Sequence, residues 1–173
     1  MLASQIGYYS LILGLIVSFI ITPICIKNFY NNKIIDNKIF SFSFLQFFFV
    51  LLSFFALIMS FVTSDFSNET VFNNSHSSKP LFYKISGTWG NHEGSLLLWL
   101  LVLTFFIFLF IIKSNDQPKK YRILTIFFQQ IIIVGFFLFI LSTSNPFGYL
   151  FPTPKEGLGL NPILQDPALA IHP

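Results

Sequence analysis

The sequence predicts an all-α polytopic membrane protein: four transmembrane helices, with two outer-face segments built of short helices and loops. Two observations lead there. Of 173 residues, 54% are hydrophobic, 25 are phenylalanine and only 10% are charged, whereas a water-soluble domain carries about a quarter charged residues. In addition, the runs 6–26, 39–62, 95–112 and 123–141 contain no Asp, Glu, Lys, Arg or His. Each run is long enough, at about 1.5 Å per helical residue, to cross a hydrocarbon core about 30 Å thick. The same fractions exclude a soluble enzyme, a nucleic-acid binder and a disordered tail, because so few charges cannot coat a globular surface.

The first span, 6–26, reads as retained in the mature chain, since Met1 to Gln5 carry no basic residue of the kind that opens a removable signal peptide. The lone Cys25 lies inside it and reads as a small packing residue. The connection that follows holds Lys27, Lys33 and Lys38 beside Asp36. The second span, 39–62, carries Gln46. After the third span, 95–112, comes a second basic connection with Lys113, Lys119, Lys120 and Arg122 beside Asp116. The fourth span, 123–141, holds Gln129 and Gln130. Amides at that depth are expected to hydrogen-bond neighbouring helices, and no intramembrane charge marks a proton or ion path. The remaining cations, Lys79, Lys84 and Lys155, lie in 63–94 and 142–173 with Asp65, Glu69, Glu93, Glu156 and Asp166. Cation bias in short loops sets topology. The basic connections are therefore placed on the synthesis side, and the amino terminus, 63–94 and 142–173 outside. The chain divides into a four-span region, 1–141, and a Pro-rich outer segment, 142–173.

Nearly all polar chemistry falls in those outer segments, including His76, His92 and His172. Residues 64–78 are rich in Ser, Asn and Thr and read as a mobile loop, with His76 a solvated bystander. Asn68 and Asn73 each open an Asn-x-Ser/Thr pattern, which matters only on a secretory route. From Leu81 the character changes to an apolar stretch that leads into Gly87-Thr88-Trp89-Gly90-Asn91-His92-Glu93-Gly94-Ser95. Asn91, Glu93 and Ser95 fit the start of a helix, where negative charge and oxygen acceptors are favoured, so the run has a purely structural reading beside a functional one. In the tail, Asn161 before Pro162 and Asp166 before Pro167 each read as an N-cap followed by proline at the first helical position. The second would carry a short helix up to His172. A histidine beside apolar residues with few acids suits haem better than zinc, which needs three or four clustered ligands. His172 is thus either a haem ligand or a packed, capping histidine.

The run Trp89-Gly90-Asn91-His92-Glu93-Gly94-Ser95 resembles the signature of the CcmF family, the haem lyase subunit of the multi-protein cytochrome c maturation pathway. The tail agrees: Ser144-Asn145-Pro146-Phe147 and then Gly159 to Pro173, ending Ala170-Ile171-His172-Pro173, are similar to the family's segment before its next span. The resemblance implies that His172 is an axial ligand to the iron of haem held at the outer face. It further implies that Trp89 and His92 contact haem or its chaperone. The implied cofactor is b-type haem, shared with the rest of the lyase. The implied partners are the remaining lyase chain or chains, a CcmE-type haem chaperone, a thiol-handling CcmH-type subunit, apocytochrome c and membrane lipid, with no nucleic acid. The family's Trp-Gly-Gly-x-Trp-x-Trp-Asp segment and its intramembrane histidines are absent, so the chain is not expected to be catalytic alone. It reads as an amino-terminal piece, from a split gene or a truncation. A composition heavy in Phe, Ile, Asn and Lys matches an AT-rich organelle genome, which places the chain in the mitochondrial inner membrane with its outer segments in the intermembrane space. The bacterial plasma membrane, with those segments periplasmic, is the alternative. The rival function is a non-catalytic membrane subunit of a respiratory complex.

Overall fold

The computed structural model describes residues 1–31, 37–159, 161–162 and 166–171, without the side chains of Leu169 and Ile171. It is all-helical, with no strand among the described residues beyond one isolated bridge between Asn68 and Tyr149. The elements are α1 (Leu2–Tyr30), α2 (Asn37–Val62), α3 (Glu69–Asn74), α4 (Leu81–Gly87), α5 (His92–Lys113), α6 (Lys119–Thr143) and α7 (Pro167–Ile171). Four of them, α1, α2, α5 and α6, are long and apolar enough to cross a membrane. Each runs past its charge-free stretch, because backbone hydrogen bonding continues into the polar boundary after the apolar side chains end.

Round the bundle the contacts run α1 to α2, α2 to α5, α5 to α6 and α6 back to α1. Much of what α1 and α2 bury is small or polar, whereas α5 and α6 bury mainly Leu and Ile. On α1 the buried positions include the seam Ser4, Gly7, Leu11, Gly14, Ser18, Ile21, Cys25 and Asn28. On α2 they include the seam Ile39, Ser43, Gln46, Val50, Ser53, Leu57 and Ser60. Both sets alternate steps of three and four, the period that keeps one seam facing a neighbour. Lipid tails are as apolar as leucine, so helices in a membrane associate through close backbone approach and polar contacts, not by hiding oil from water. Phenylalanines such as Phe44, Phe55, Phe106 and Phe128 accordingly face outward.

The deepest polar contact crosses the bundle. Gln46 and Gln130 exchange two amide hydrogen bonds, each 3.0 Å, and Gln46 also donates to Ser18 Oγ at 2.5 Å. Both amides are 0% exposed. The expectation of interhelical amide pairing holds for these two, whereas Gln129 Oε1 is buried with no hydrogen-bond partner.

Residues 64–78 correct the mobile-loop reading. Asn68 caps α3, accepting from the Val71 N–H at 3.1 Å, and its amide donates to Ser4 Oγ at 3.2 Å and to the Pro146 carbonyl at 3.0 Å. Phe66, Ser67, Asn68, Thr70, Val71 and Ser75 are buried. A polar composition here supplies backbone partners for a packed segment instead of solvating a loose one. Segment 145–159 runs alongside it: Glu69 N–H donates to Gly148 O, Leu150 N–H to Ser67 O, Leu158 N–H to Phe72 O and Gly159 N–H to Ser75 O, at 2.8 to 3.0 Å. Together they form a platform on one end of the bundle, which the α-amino group of Met1 joins through Asp65.

Candidate functional site

The corner between α4 and α5 carries the Trp89 to Ser95 run. Asn91 is the N-cap of α5: its Oδ1 accepts from the Gly94 N–H at 2.7 Å. Its amide nitrogen reaches back to the carbonyls of Gly87 at 2.7 Å and Thr88 at 3.2 Å. One side chain thereby closes the end of α4 and the start of α5. A Cβ at Gly94 would collide with the Thr88 carbonyl oxygen, so only glycine allows the two backbones to approach this closely. Glu93 lies in the first turn, at the positive end of the helix, and Ser95 Oγ donates to the His92 carbonyl at 3.1 Å. For Asn91, Gly94 and Ser95 the structural reading is therefore sufficient.

Trp89 and His92 make longer-range contacts. The Trp89 indole N–H donates to the carbonyl of Ala170 on α7 at 3.2 Å. Asp166 starts α7 as expected, with its Oδ1 accepting from the Ala168 N–H at 2.8 Å, and Ala170 is buried. His92 Nε2 lies 3.0 Å from Ser144 Oγ, a residue that closes the end of α6. The corner thus ties α4, α5, the end of α6 and α7 together. His172, two residues beyond Ala170, lies outside the described residues. His76 pairs through Nδ1 with Ser78 Oγ at 2.9 Å within its own turn.

Beside the corner is an open cavity of about 370 Å³ lined by Trp89, Gly90, Asn91, His92, Leu96 and Trp99, with Ser95. Trp99 is 63% exposed and also lines an apolar groove of about 490 Å³ between α5 and α6, with Val102, Ile132 and Phe136 among its walls. An imidazole and two indoles lining one hollow beside an apolar slot suit a flat aromatic macrocycle in the chemistry of their side chains. Cations for propionates are sparse: Lys84, the nearest in sequence, donates to Ser64 Oγ at 2.8 Å. Among the described residues no group of three or more His, Cys, Asp or Glu could hold a bare metal ion.

Two carboxylates on the platform have lowered pKa values. At Asp65, burial pushes the carboxyl up, but hydrogen bonds from the Met1 amino group and from Ser67 outweigh it. Glu156 is held below the usual carboxylate range by the Ser77 hydroxyl and N–H, at 2.7 and 3.0 Å.

Comparison with known proteins gives the family. The model of the family "Cytochrome C assembly protein" matches residues 89–173. The chain is 43% identical to the cytochrome c-type biogenesis protein CycK of Bradyrhizobium diazoefficiens, over 98% of this chain and 26% of that one. It is 51% identical to CycK of Rhizobium meliloti, over 72% of this chain and 18% of that one, and 43% identical to CcmF of Escherichia coli, over 76% and 21%. A solved structure titled cytochrome c heme lyase CcmF superposes with a TM-score of 0.75 at 25% identity, over 84% of this chain and 24% of that one. The chain spans about a quarter or less of the length of these relatives. With this similarity in sequence and fold, and with its corner motif inside the matched region, the chain belongs to the CcmF family of cytochrome c-type biogenesis proteins.

Proposed function

We propose that this chain is the amino-terminal part of a CcmF-type haem lyase and helps hold haem, as cargo, on the outer membrane face for attachment to apocytochrome c. The observation that carries the reading is the hydrogen bond from Trp89 to Ala170. It joins the Trp-Gly-Asn-His corner to the helix that leads into His172. In this reading His172 supplies one axial imidazole to the iron, and Trp89 and His92 line the approach. Haem brings the iron and the vinyl groups that receive the thiols of a reduced Cys-x-x-Cys-His segment. The chain's residues bind, orient and shield. The rest of the lyase, a CcmE-type chaperone and a CcmH-type subunit supply what this chain lacks, including the Trp-rich segment.

The platform end of the bundle faces the intermembrane space of a mitochondrion in this reading, or the periplasm if the chain is bacterial. Support comes from the separation of the platform from Lys27, Lys113, Lys119, Lys120 and Arg122, which sit at the far ends of their helices. Assembled lyase carrying His172→Ala is expected to lose the outer-face haem spectrum and cytochrome c maturation. An unchanged spectrum with normal maturation would remove the assigned role. Co-purification with respiratory-complex subunits, and not with haem-chaperone or lyase chains, would favour the rival function.

A further inference from the structure

At the end of the bundle opposite the platform, α5 and α6 are joined by residues 114–118. Arg122, only 5% exposed, anchors this turn: its Nε donates to Ser114 Oγ at 2.9 Å, and its Nη2 to Asn115 Oδ1 at 2.9 Å and to the Ile111 carbonyl at 3.1 Å. All three acceptors are neutral. Next to this turn, and sharing Ser114 with it, is an open cavity of about 290 Å³ lined by Phe110, Lys113, Ser114, Gln117 and Tyr121. Its polar side chains are an ammonium, an amide and two hydroxyls. Its apolar wall is the edge-to-face pair of Phe110 and Tyr121, with ring centroids 6.4 Å apart.

The charge around this cavity is unbalanced. Lys119 and Lys120 stand in the first turn of α6, where Pro118 provides no side-chain cap and no acid is present. Cations at that end of a helix are disfavoured unless an anion neutralises them. Asp116 is the one acid in the connecting turn, and the one salt bridge among the described residues is at the other end of the molecule. One cation, Lys113, therefore lines a hollow that is part polar and part apolar, and three more, Lys119, Lys120 and Arg122, follow in the first turn of α6.

We propose that this hollow binds the phosphate headgroup of an anionic phospholipid in the leaflet at the basic end of the bundle. Lys113, Gln117 and the Tyr121 hydroxyl take the phosphate, and the Phe110–Tyr121 wall takes the start of the acyl chains. Basic pockets between transmembrane helices hold anionic headgroups in this way. A diffusing phosphate ion would leave the aromatic wall without a role, which favours the lipid.

The test offers the purified full chain, in neutral detergent, equal amounts of phosphatidylglycerol and phosphatidylcholine and reads retained lipid by native mass spectrometry. Phosphatidylglycerol is expected to be retained in preference. Lys113→Gln should cut that preference about fivefold, and adding Lys120→Gln should cut it about as much again, the weight of one cation near an anionic surface. Lys27→Gln, at the same end but on α1, should leave it unchanged, and excess inorganic phosphate should not displace the lipid. Equal retention of both lipids, an equal loss in Lys27→Gln, or displacement by inorganic phosphate would each overturn the proposal.

Discussion

Removing Asn91 acts on two helix ends at once. Its oxygen caps α5 and its nitrogen holds two carbonyls of the preceding turn. Asn91→Ala should cost about 1–2 kcal/mol for the cap alone, seen as earlier thermal unfolding in detergent. Asn91→Asp keeps the acceptor and loses the donor, so it should recover part of that loss. Trp89→Phe keeps an aromatic ring but not the N–H that meets Ala170. Faster amide exchange confined to 166–171 is expected, and unchanged exchange there would show that the indole contact does not hold α7. At Glu156 the sign follows from the lowered pKa. Its contribution is present above the ordinary carboxylate value of about 4.3 and is lost as pH falls through the lower folded value. Exchange at 75–77 should therefore rise on acidification below that range, and Glu156→Gln should flatten the dependence.

Within the membrane, the helices are organised by the few groups that are not hydrocarbon. The Gln46–Gln130 pair joins α2 to α6 across the bundle, with Ser18 of α1 completing it. Replacing one partner, as in Gln46→Leu, strands a buried amide and should cost about 1–2 kcal/mol. Replacing both with leucine should cost less than the two single changes added together, because no polar group is then left unpaired. A double-mutant cycle by reversible unfolding in detergent measures the difference. Gly14 belongs to the same seam: a Cβ there would press on the Phe137 ring, at 2.8 Å. Gly14→Leu should accordingly push α1 from α6 and destabilise the bundle more than the same change at Gly135, where nothing stands within 4 Å. In α1 the steps of three and four between Ser and Gly, from Ser4 to Ser18, were a readable signal for the buried face. Hydropathy hides it, since every face of these helices is apolar.

For the molecule as a whole, two opposite ends divide the work. One is a platform in which 64–78 and 145–159 share backbone hydrogen bonds, capped by the α4–α5 corner. The other is a basic rim stapled by Arg122. Single cysteines placed at Ser78 and Asn115 in a Cys25→Ser chain should react with a membrane-impermeant thiol reagent from opposite sides, and labelling of both from one side would reverse the topology reading. The sequence by itself determined that this is a four-helix membrane protein, because span length and the absence of charge are local properties. It also determined the family, because the Trp89 to Ser95 run and the tail are contiguous motifs, and the N-cap at Asp166, because capping is set by neighbours in the chain. The tertiary structure alone decided that Gln46 meets Gln130 and that the polar stretch 64–78 is packed. It alone decided that Trp89 reaches Ala170, 81 residues away. Those contacts join residues far apart in the chain, and only the packing of the helices brings the partners within hydrogen-bond reach.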